Sequence, residues 1–105
     1  DEELRKQVIS RVKFERKTAR TIVSRLELNQ NLEEIRRLGY AVDDREMEEH
    51  MKCVGAPVFA SDGSVLGAIS VSSLYKPEEN YTVLGQAVAK KAAEVSKLLG
   101  FLGKI

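Results

Sequence analysis

Cysteine occurs once, proline twice and tryptophan not at all in these 105 residues, and aromatic residues make up only 6%. Each scarcity excludes something. A single thiol, Cys53, rules out an internal disulfide and a four-cysteine metal site, so a reducing cytoplasm is the expected setting. Long apolar runs are missing too. The longest uncharged stretch, Gly63 to Tyr75, contains glycine and serine and falls short of the roughly 18 apolar residues of a membrane span. No secretory signal is visible, because the N-terminus is acidic and then strongly basic. Repeats, low-complexity tracts and linkers are absent as well.

What is present suits an ordinary folded protein. Apolar residues make up 43% and charged residues 31%, with a net charge of +1. The length matches one domain or part of one, able to bury a modest core. The small net charge hides an uneven distribution. Residues 4–25 carry eight basic side chains (Arg5, Lys6, Arg11, Lys13, Arg16, Lys17, Arg20 and Arg25) against one acid, Glu15. Residues 26–50 carry eight acids against three bases. A basic arm of this kind can grip phosphates, which makes a nucleic-acid or protein interaction module one reading of the chain. Its plainer reading is a solvated face paired loosely with the acidic segment. No aromatic residues interleave the charges, and no helix-turn-helix or Gly-rich spacing accompanies them.

Apolar spacing predicts a helix over 2–13, with Leu4, Val8 and Val12 on one stripe and Ile9 beside it. Residues 14–22 have no helical period and read as a loop with a short extended piece. Ser24 with Glu27 is a capping-box spelling. It opens a second helix that presents Leu28, Leu32 and Ile35 and stops at Gly39, suited to a left-handed C-terminal position. Tyr40 to Val42 reads as a short strand and residues 44–50 as a polar loop. Residues 52–60 and 64–73 form a hairpin around Asp62-Gly63, the spelling of a two-residue type I′ turn. Pro77-Glu78-Glu79 reads as a helix opening, and Leu84, Val88, Ala92, Val95 and Leu99 form its apolar stripe, closed by Gly100. Tyr40 and Tyr81 are placed at the core edge. The expected fold class is α+β, a mainly antiparallel sheet with packed helices.

The hairpin carries the most chemistry. With Asp62-Gly63 as the loop, Cys53 faces Ser72, Gly55 faces Ser70 and Pro57 faces Ala68. Alternation then puts Cys53, Gly55, Ser70 and Ser72 on one side, with Val54, Val58, Ile69 and Val71 on the other beside Lys52. One side is ordinary core. Its opposite combines a thiol, two hydroxyls and a vacant glycine, as small-ligand pockets do. On the plainer reading these small residues only let a helix approach the sheet, each hydroxyl bonded to a nearby carbonyl.

Other clusters point less clearly to chemistry. Asp43, His50 and Cys53 offer a mixed ligand set for a metal, but without the usual paired spacing they read as part of a solvated acidic loop. His50 and Cys53 as a thiol-enzyme pair lack an orienting third group and an oxyanion donor. No metal, cofactor or catalytic residue is therefore expected.

Gly39-Tyr40-Ala41-Val42-Asp43-Asp44, Cys53-Val54-Gly55-Ala56-Pro57-Val58-Phe59, Ile69-Ser70-Val71-Ser72 and Ala93-Glu94-Val95-Ser96 occur in that order. Upstream lies Thr18-Ala19-Arg20-Thr21-Ile22. Together these resemble the C-terminal effector domain of IclR-type bacterial transcriptional regulators, across nearly the whole chain. The resemblance implies a GAF/PAS-like sensing domain that binds a small organic acid: a keto acid, a sugar acid or an aromatic carboxylate. It implies effector contacts at Asp43, Cys53, Ser70 and Ser72, with Met51 as an apolar wall. Gly55 stands where the family commonly has alanine, and Arg45 where it has an acid. The resemblance covers about the C-terminal three-fifths of that domain. Residues 1–105 are thus expected to be a single effector-domain fragment, without the winged helix-turn-helix that reads DNA. A homodimer or homotetramer that conveys ligand binding to DNA, with no enzymatic activity, is the implied assembly.

Overall fold

Three helices and a three-stranded antiparallel sheet make up the computed structural model, which describes residues 2–103. The elements run α1 (Glu2–Arg11), α2 (Arg25–Leu38), β1 (Ala41–Asp44), β2 (Met51–Phe59), β3 (Val65–Leu74) and α3 (Tyr81–Leu98), with β2 central in the order β1-β2-β3. The expected α+β class is the one observed.

Local signals explain most boundaries. Ser24 Oγ accepts from the Glu27 amide at 3.1 Å, relieving one of the free N–H groups at the start of α2. Gly39 ends that helix at φ 83°, a conformation that costs glycine nothing, while its amide reaches the Ile35 carbonyl. The third helix opens later than Pro77 suggests. Residues 76–79 form a turn, closed by the Glu79 amide on the Lys76 carbonyl. Asn80 then caps α3 by accepting from the Val83 amide at 3.1 Å. A side chain that satisfies a helix amide outweighs the fit of proline to a first turn.

The core lies between α3 and one face of the sheet. Val54, Ala56 and Val58 of β2 pack against Val88 and Ala92 of α3 and against Tyr40, all buried. Ile69 is half-buried there, whereas Val71 is 40% exposed, because α3 lies chiefly over β2 and only lightly over β3. Val71 is therefore not the core residue its parity suggests. Tyr40 lies deeper than a core edge, against the backbone of Gly85. Phe59 lies past the end of β1, which pairs only as far as Gly55. Its amide donates to Ser96 Oγ at 2.9 Å, and that hydroxyl donates in turn to the Ala92 carbonyl. Ser96 has no exposed surface, so this short relay ties α3 to the strand end.

The helix α1 departs from its expected stripe. Ile9 is its buried residue, while Leu4, Val8 and Val12 are 57%, 55% and 38% exposed. Arg5 and Glu2 instead reach α2, at Glu33, Asn29 and Arg36.

The hairpin loop also differs. Gly63 is left-handed but Asp62 is not, and the Gly63 amide donates to the Ala60 carbonyl. Asp62 Oδ1 accepts from both the amide and the hydroxyl of Ser64. The loop is thus a three-residue type I turn with glycine in the left-handed position, not a type I′ turn. That change alone slips the register by one. A bulge restores it, because Phe59 pairs with Val65 but Val58 with Gly67, leaving Leu66 as the extra residue.

Gly85→Ala tests the Tyr40 contact. A Cβ there lies 2.3 Å from the Tyr40 ring. Helix propensity favours alanine by about 0.8–1.0 kcal/mol. Overpacking outweighs that, and a net loss of about 1–2 kcal/mol is expected in urea unfolding. A stabilised variant would show that Tyr40 is free to move aside.

Candidate functional site

The restored register brings all five expected site residues to the sheet face opposite α3. Asp43 pairs with Cys53, and Cys53 with Ser72, giving one row across three strands. Ala41, Gly55 and Ser70 form the next row, and Met51 opposite Leu74 flanks the patch. Cross-strand neighbours sit about 4.5–5.5 Å apart, so the row from Asp43 to Ser72 spans roughly 10 Å.

This face is open over β3. Ser70 and Ser72 are exposed, and neither hydroxyl has a hydrogen-bond partner among the described residues. They therefore neither admit a helix nor satisfy local carbonyls. Cys53 is half-buried, its thiol directed to the Val54 carbonyl at 3.8 Å. At Gly55 an added Cβ meets Ser70 Cβ at 3.4 Å, so the glycine leaves a shallow space beside that serine. Met51 is 37% exposed at the rim.

Asp43 is the organised acid of the patch. Its Oδ1 accepts the Glu46 amide at 2.9 Å, which turns the chain sharply after β1. It also lines a cleft of about 540 Å³ between β1, the start of α2 and residues 12–22. Two threonines hold the same corner. Thr18 Oγ1 donates to the Arg45 carbonyl at 2.6 Å, and Thr21 Oγ1 to the Glu46 carbonyl. The Thr21 hydroxyl also accepts the amides of Lys17 and Thr18. Arg45 sits at φ 58°, the sole non-glycine residue in that region among those described. The loop expected over residues 14–22 is therefore a strap fastened across the corner. Sequence reasoning missed this role, although Thr18 and Thr21 in an aperiodic stretch were its visible signal.

The cations gather elsewhere. Asp44, one residue along and on the α3 side, receives Arg45 at 2.8 Å, Arg20 at 3.2 Å and Lys52 at 3.5 Å. Arg45 lies 3.8 Å over the Tyr75 ring and Lys52 4.2 Å over Tyr81. Burial alone raises the Asp44 carboxyl, but the Arg45 hydrogen bond and the charges of Lys52, Arg45 and Arg20 hold it below the usual range. The basic arm is thus partly spent internally, since Arg5, Lys17 and Arg20 all pair within the chain. His50 is exposed, with its carbonyl bound to the Tyr75 amide. Among the described residues no three His, Cys, Asp or Glu side chains gather as a metal site. Nor is any helix there long and apolar enough to cross a membrane.

Glu46 behaves oppositely to Asp44. Burial pushes its carboxyl up, the Asp44 amide it accepts pulls it down, and the charges of Asp43 and Asp44 push it further up. A raised native value means that its contribution to stability is complete below the ordinary 4.5 and is lost as pH rises through the native value. Glu46→Gln keeps an oxygen for the Asp44 amide and removes the charge. Its melting temperature is expected to exceed the parent's at pH 7 and to match it below pH 4.5. A gain that persists in acid would have another origin.

Comparison with known proteins identifies the family of this chain. The family described as bacterial transcriptional regulator IclR C-terminal matches residues 1–97. The transcriptional regulator KdgR of Dickeya chrysanthemi is 40% identical over 72 residues, 69% of this chain and 24% of that protein. The C-terminal domain of Escherichia coli KdgR superposes with a TM-score of 0.83 at 31% identity, over 96% of this chain and 63% of that one. A double mutant of the PobR inducer-binding domain from Acinetobacter, in complex with 3-hydroxybenzoic acid, shares the fold at a TM-score of 0.78. It is 21% identical, over 93% of this chain and 58% of that one. The chain spans well under half the length of the full regulators it matches, which are named as transcriptional regulators and not enzymes. With its sheet register, capped helices and matching residues, this chain belongs to the C-terminal, effector-binding domain family of the IclR-type bacterial transcriptional regulators.

Proposed function

We propose that the open sheet face is an effector site for a small organic acid, held by Ser70, Ser72, Cys53 and Asp43 with Met51 as an apolar wall. One observation carries this reading: the register aligns Asp43, Cys53 and Ser72 in a row beside Gly55 and Ser70, with both serine hydroxyls unengaged. Two free donors side by side suit the two oxygens of a carboxylate. Lys52 points to the opposite face by strand parity and pairs with Asp44 there, so recognition rests on neutral donors.

In the cytoplasm of the cell, the ligand acts on DNA through a DNA-reading domain outside residues 1–105 and through a homodimeric or homotetrameric arrangement. Such a ligand must bind the two arrangements with different affinity, since equal binding shifts nothing. The outer edge of β3 supports association. Among the described residues no strand pairs with it, and Val65, Leu66 and Leu74 on that strand are each about two-thirds exposed.

Calorimetry of the chain with pyruvate, gluconate and 3-hydroxybenzoate tests the site. Each hydrogen bond from a neutral donor to a charged group contributes about 1.5–3 kcal/mol. Ser70→Ala is therefore expected to weaken the acid that binds by roughly ten- to a hundredfold. The melting temperature should not move, because the Ser70 hydroxyl holds nothing in the fold. Unchanged affinity with a lowered melting temperature would sink the proposal.

A further inference from the structure

We infer that the side of the sheet facing α3 carries a second binding site, for a phosphate group, formed by Arg45 and Lys52 with Arg20 at its rim. It lies on the opposite side of the sheet from the proposed effector site and does not depend on that reading.

Three cations converge there on one acid. Asp44 receives Arg45 at 2.8 Å, Arg20 at 3.2 Å and Lys52 at 3.5 Å. Among the described residues no other carboxylate lies within ion-pair distance of any of the three. Asp44 balances one positive charge and leaves two. On long, solvated side chains such an excess is ordinary. Arg45 and Lys52 are not of that kind, since their side chains are only 19% and 14% exposed. Both contact the same oxygen, Asp44 Oδ1, which sets the two cations close together. Like charges this near repel each other, and partial burial strengthens the repulsion.

Their hydrogen bonding is incomplete as well. Arg45 donates through Nε alone, and neither of its Nη atoms has a partner among the described residues. Lys52 donates no hydrogen bond there. The rings of Tyr75 and Tyr81 beneath these cations offset part of the lost hydration but leave the N–H groups at their edges without acceptors. Nor are these donors sealed in. Arg5 Nε is the one wholly buried, unpartnered side-chain polar atom among the described residues. Unused donors and unbalanced charge therefore meet at one place that opens to the surface. Tyr81 also begins α3, so the positive end of that 18-residue helix lies at the same corner.

Charge and shape select the ligand. A phosphate monoester carries about −1.5 to −2 charges at neutral pH, which matches the excess of two. Its terminal oxygens only accept. The guanidinium fork can meet two of them with parallel bonds, and the lysine can meet a third as a point charge. A single carboxylate brings one charge and two oxygens, and it leaves one cation unbalanced. Free phosphate and a phosphate ester present the same group to the site.

Thermal melting of the 105-residue chain tests the site, in inorganic phosphate, glycerol 3-phosphate and acetate, each against chloride at matched ionic strength. A ligand of the folded chain raises its melting temperature with concentration. Both phosphates are expected to bind about tenfold more tightly than acetate, the effect of one further charge-assisted hydrogen bond. Tighter binding of glycerol 3-phosphate marks an ester as the ligand and equal binding marks the free ion, and either supports the site. Lys52→Met deletes the charge but keeps an apolar stem over Tyr81. Arg45→Asn deletes the guanidinium with a residue that tolerates the left-handed backbone. Each is expected to weaken phosphate by about tenfold. Ser70→Ala, on the other face, is expected to leave phosphate binding unchanged. Loss of phosphate binding in that variant places the anion on the effector face and overturns the inference. A parent chain that responds equally to acetate and phosphate, or to neither, overturns it too. If neither Lys52→Met nor Arg45→Asn folds, the exposed Arg20→Gln decides: phosphate binding falls several-fold, or the inference is overturned.

Discussion

The alternation of side chains along β2 is the constraint on which the rest of the molecule depends. Val54, Ala56 and Val58 face α3, because their buried partners among the described residues are Val88 and Ala92 of that helix together with Tyr40. Once they do, Met51, Cys53 and Gly55 are committed to the opposite side. Antiparallel pairing carries the choice to Asp43 on β1 and to Ser70 and Ser72 on β3. A slip of one residue buries the thiol and exposes the valines, at a cost of about 1.5–3 kcal/mol for each large apolar side chain turned to water. Packing on one face thus sets the chemistry of the other. The small residues of α3, Gly85 against Tyr40 and Ala92 against the sheet, let the helix come close enough to enforce that choice.

Much of this was legible because local rules and tertiary packing agree. The Ser24 cap, the left-handed Gly39 and the parity of the hairpin follow from short-range chemistry, and the structure adopts each of them. The hairpin register was correct although the turn type was not, since a longer loop and a bulge at Leu66 offset one another. Neither leaves a pattern in sequence. Asp62-Gly63 spells a two-residue turn just as readily, and the choice depends on Asp62 binding Ser64. The stripe on α1 misleads for a different reason. Periodicity reports which residues share a face but not how fully a neighbour covers it, and here Leu4 and Val8 stay more than half exposed. Five residues were expected at a site, from parity and resemblance together, and the structure brings all five to one face. The strap could not be found that way, because a threonine that grips a distant carbonyl looks like any other loop threonine.

Charge is distributed to match the two faces. Cations and tyrosines crowd around Asp44 on the α3 side, where Arg45 and Lys52 lie over aromatic rings and are little exposed. The side of the sheet opposite α3 keeps one carboxylate, that of Asp43, and several neutral groups. Such a site gains little from long-range attraction and depends on geometry, since a hydroxyl contributes only when its partner sits at hydrogen-bond distance. That favours discrimination among similar small acids over raw affinity. A site that grips a carboxylate with arginine holds almost any acid, whereas the proposed one, built from neutral donors, would depend on where each donor lies.

On the proposed function, the same geometry offers a route by which occupancy would be felt at a distance. At the proposed site, a ligand reaching from Ser72 to Asp43 would touch all three strands, so its binding would oppose any splaying between them. Asp43 lies two hydrogen bonds from Thr21, through the amide and the carbonyl of Glu46. Thr21 belongs to the strap, which lies between α1 and α2 in the chain. Those two helices are joined to one another mainly at their surface, by Arg5 with Glu33 and Arg36 with Glu2. Exposed ion pairs of this kind hold weakly, at about 0.2–1 kcal/mol each. A firm corner beside a loosely held helix pair is an arrangement in which modest differential binding can change position rather than only local order. The ligand needs to favour one placement of the strap over another by only a few kcal/mol for the populations to invert.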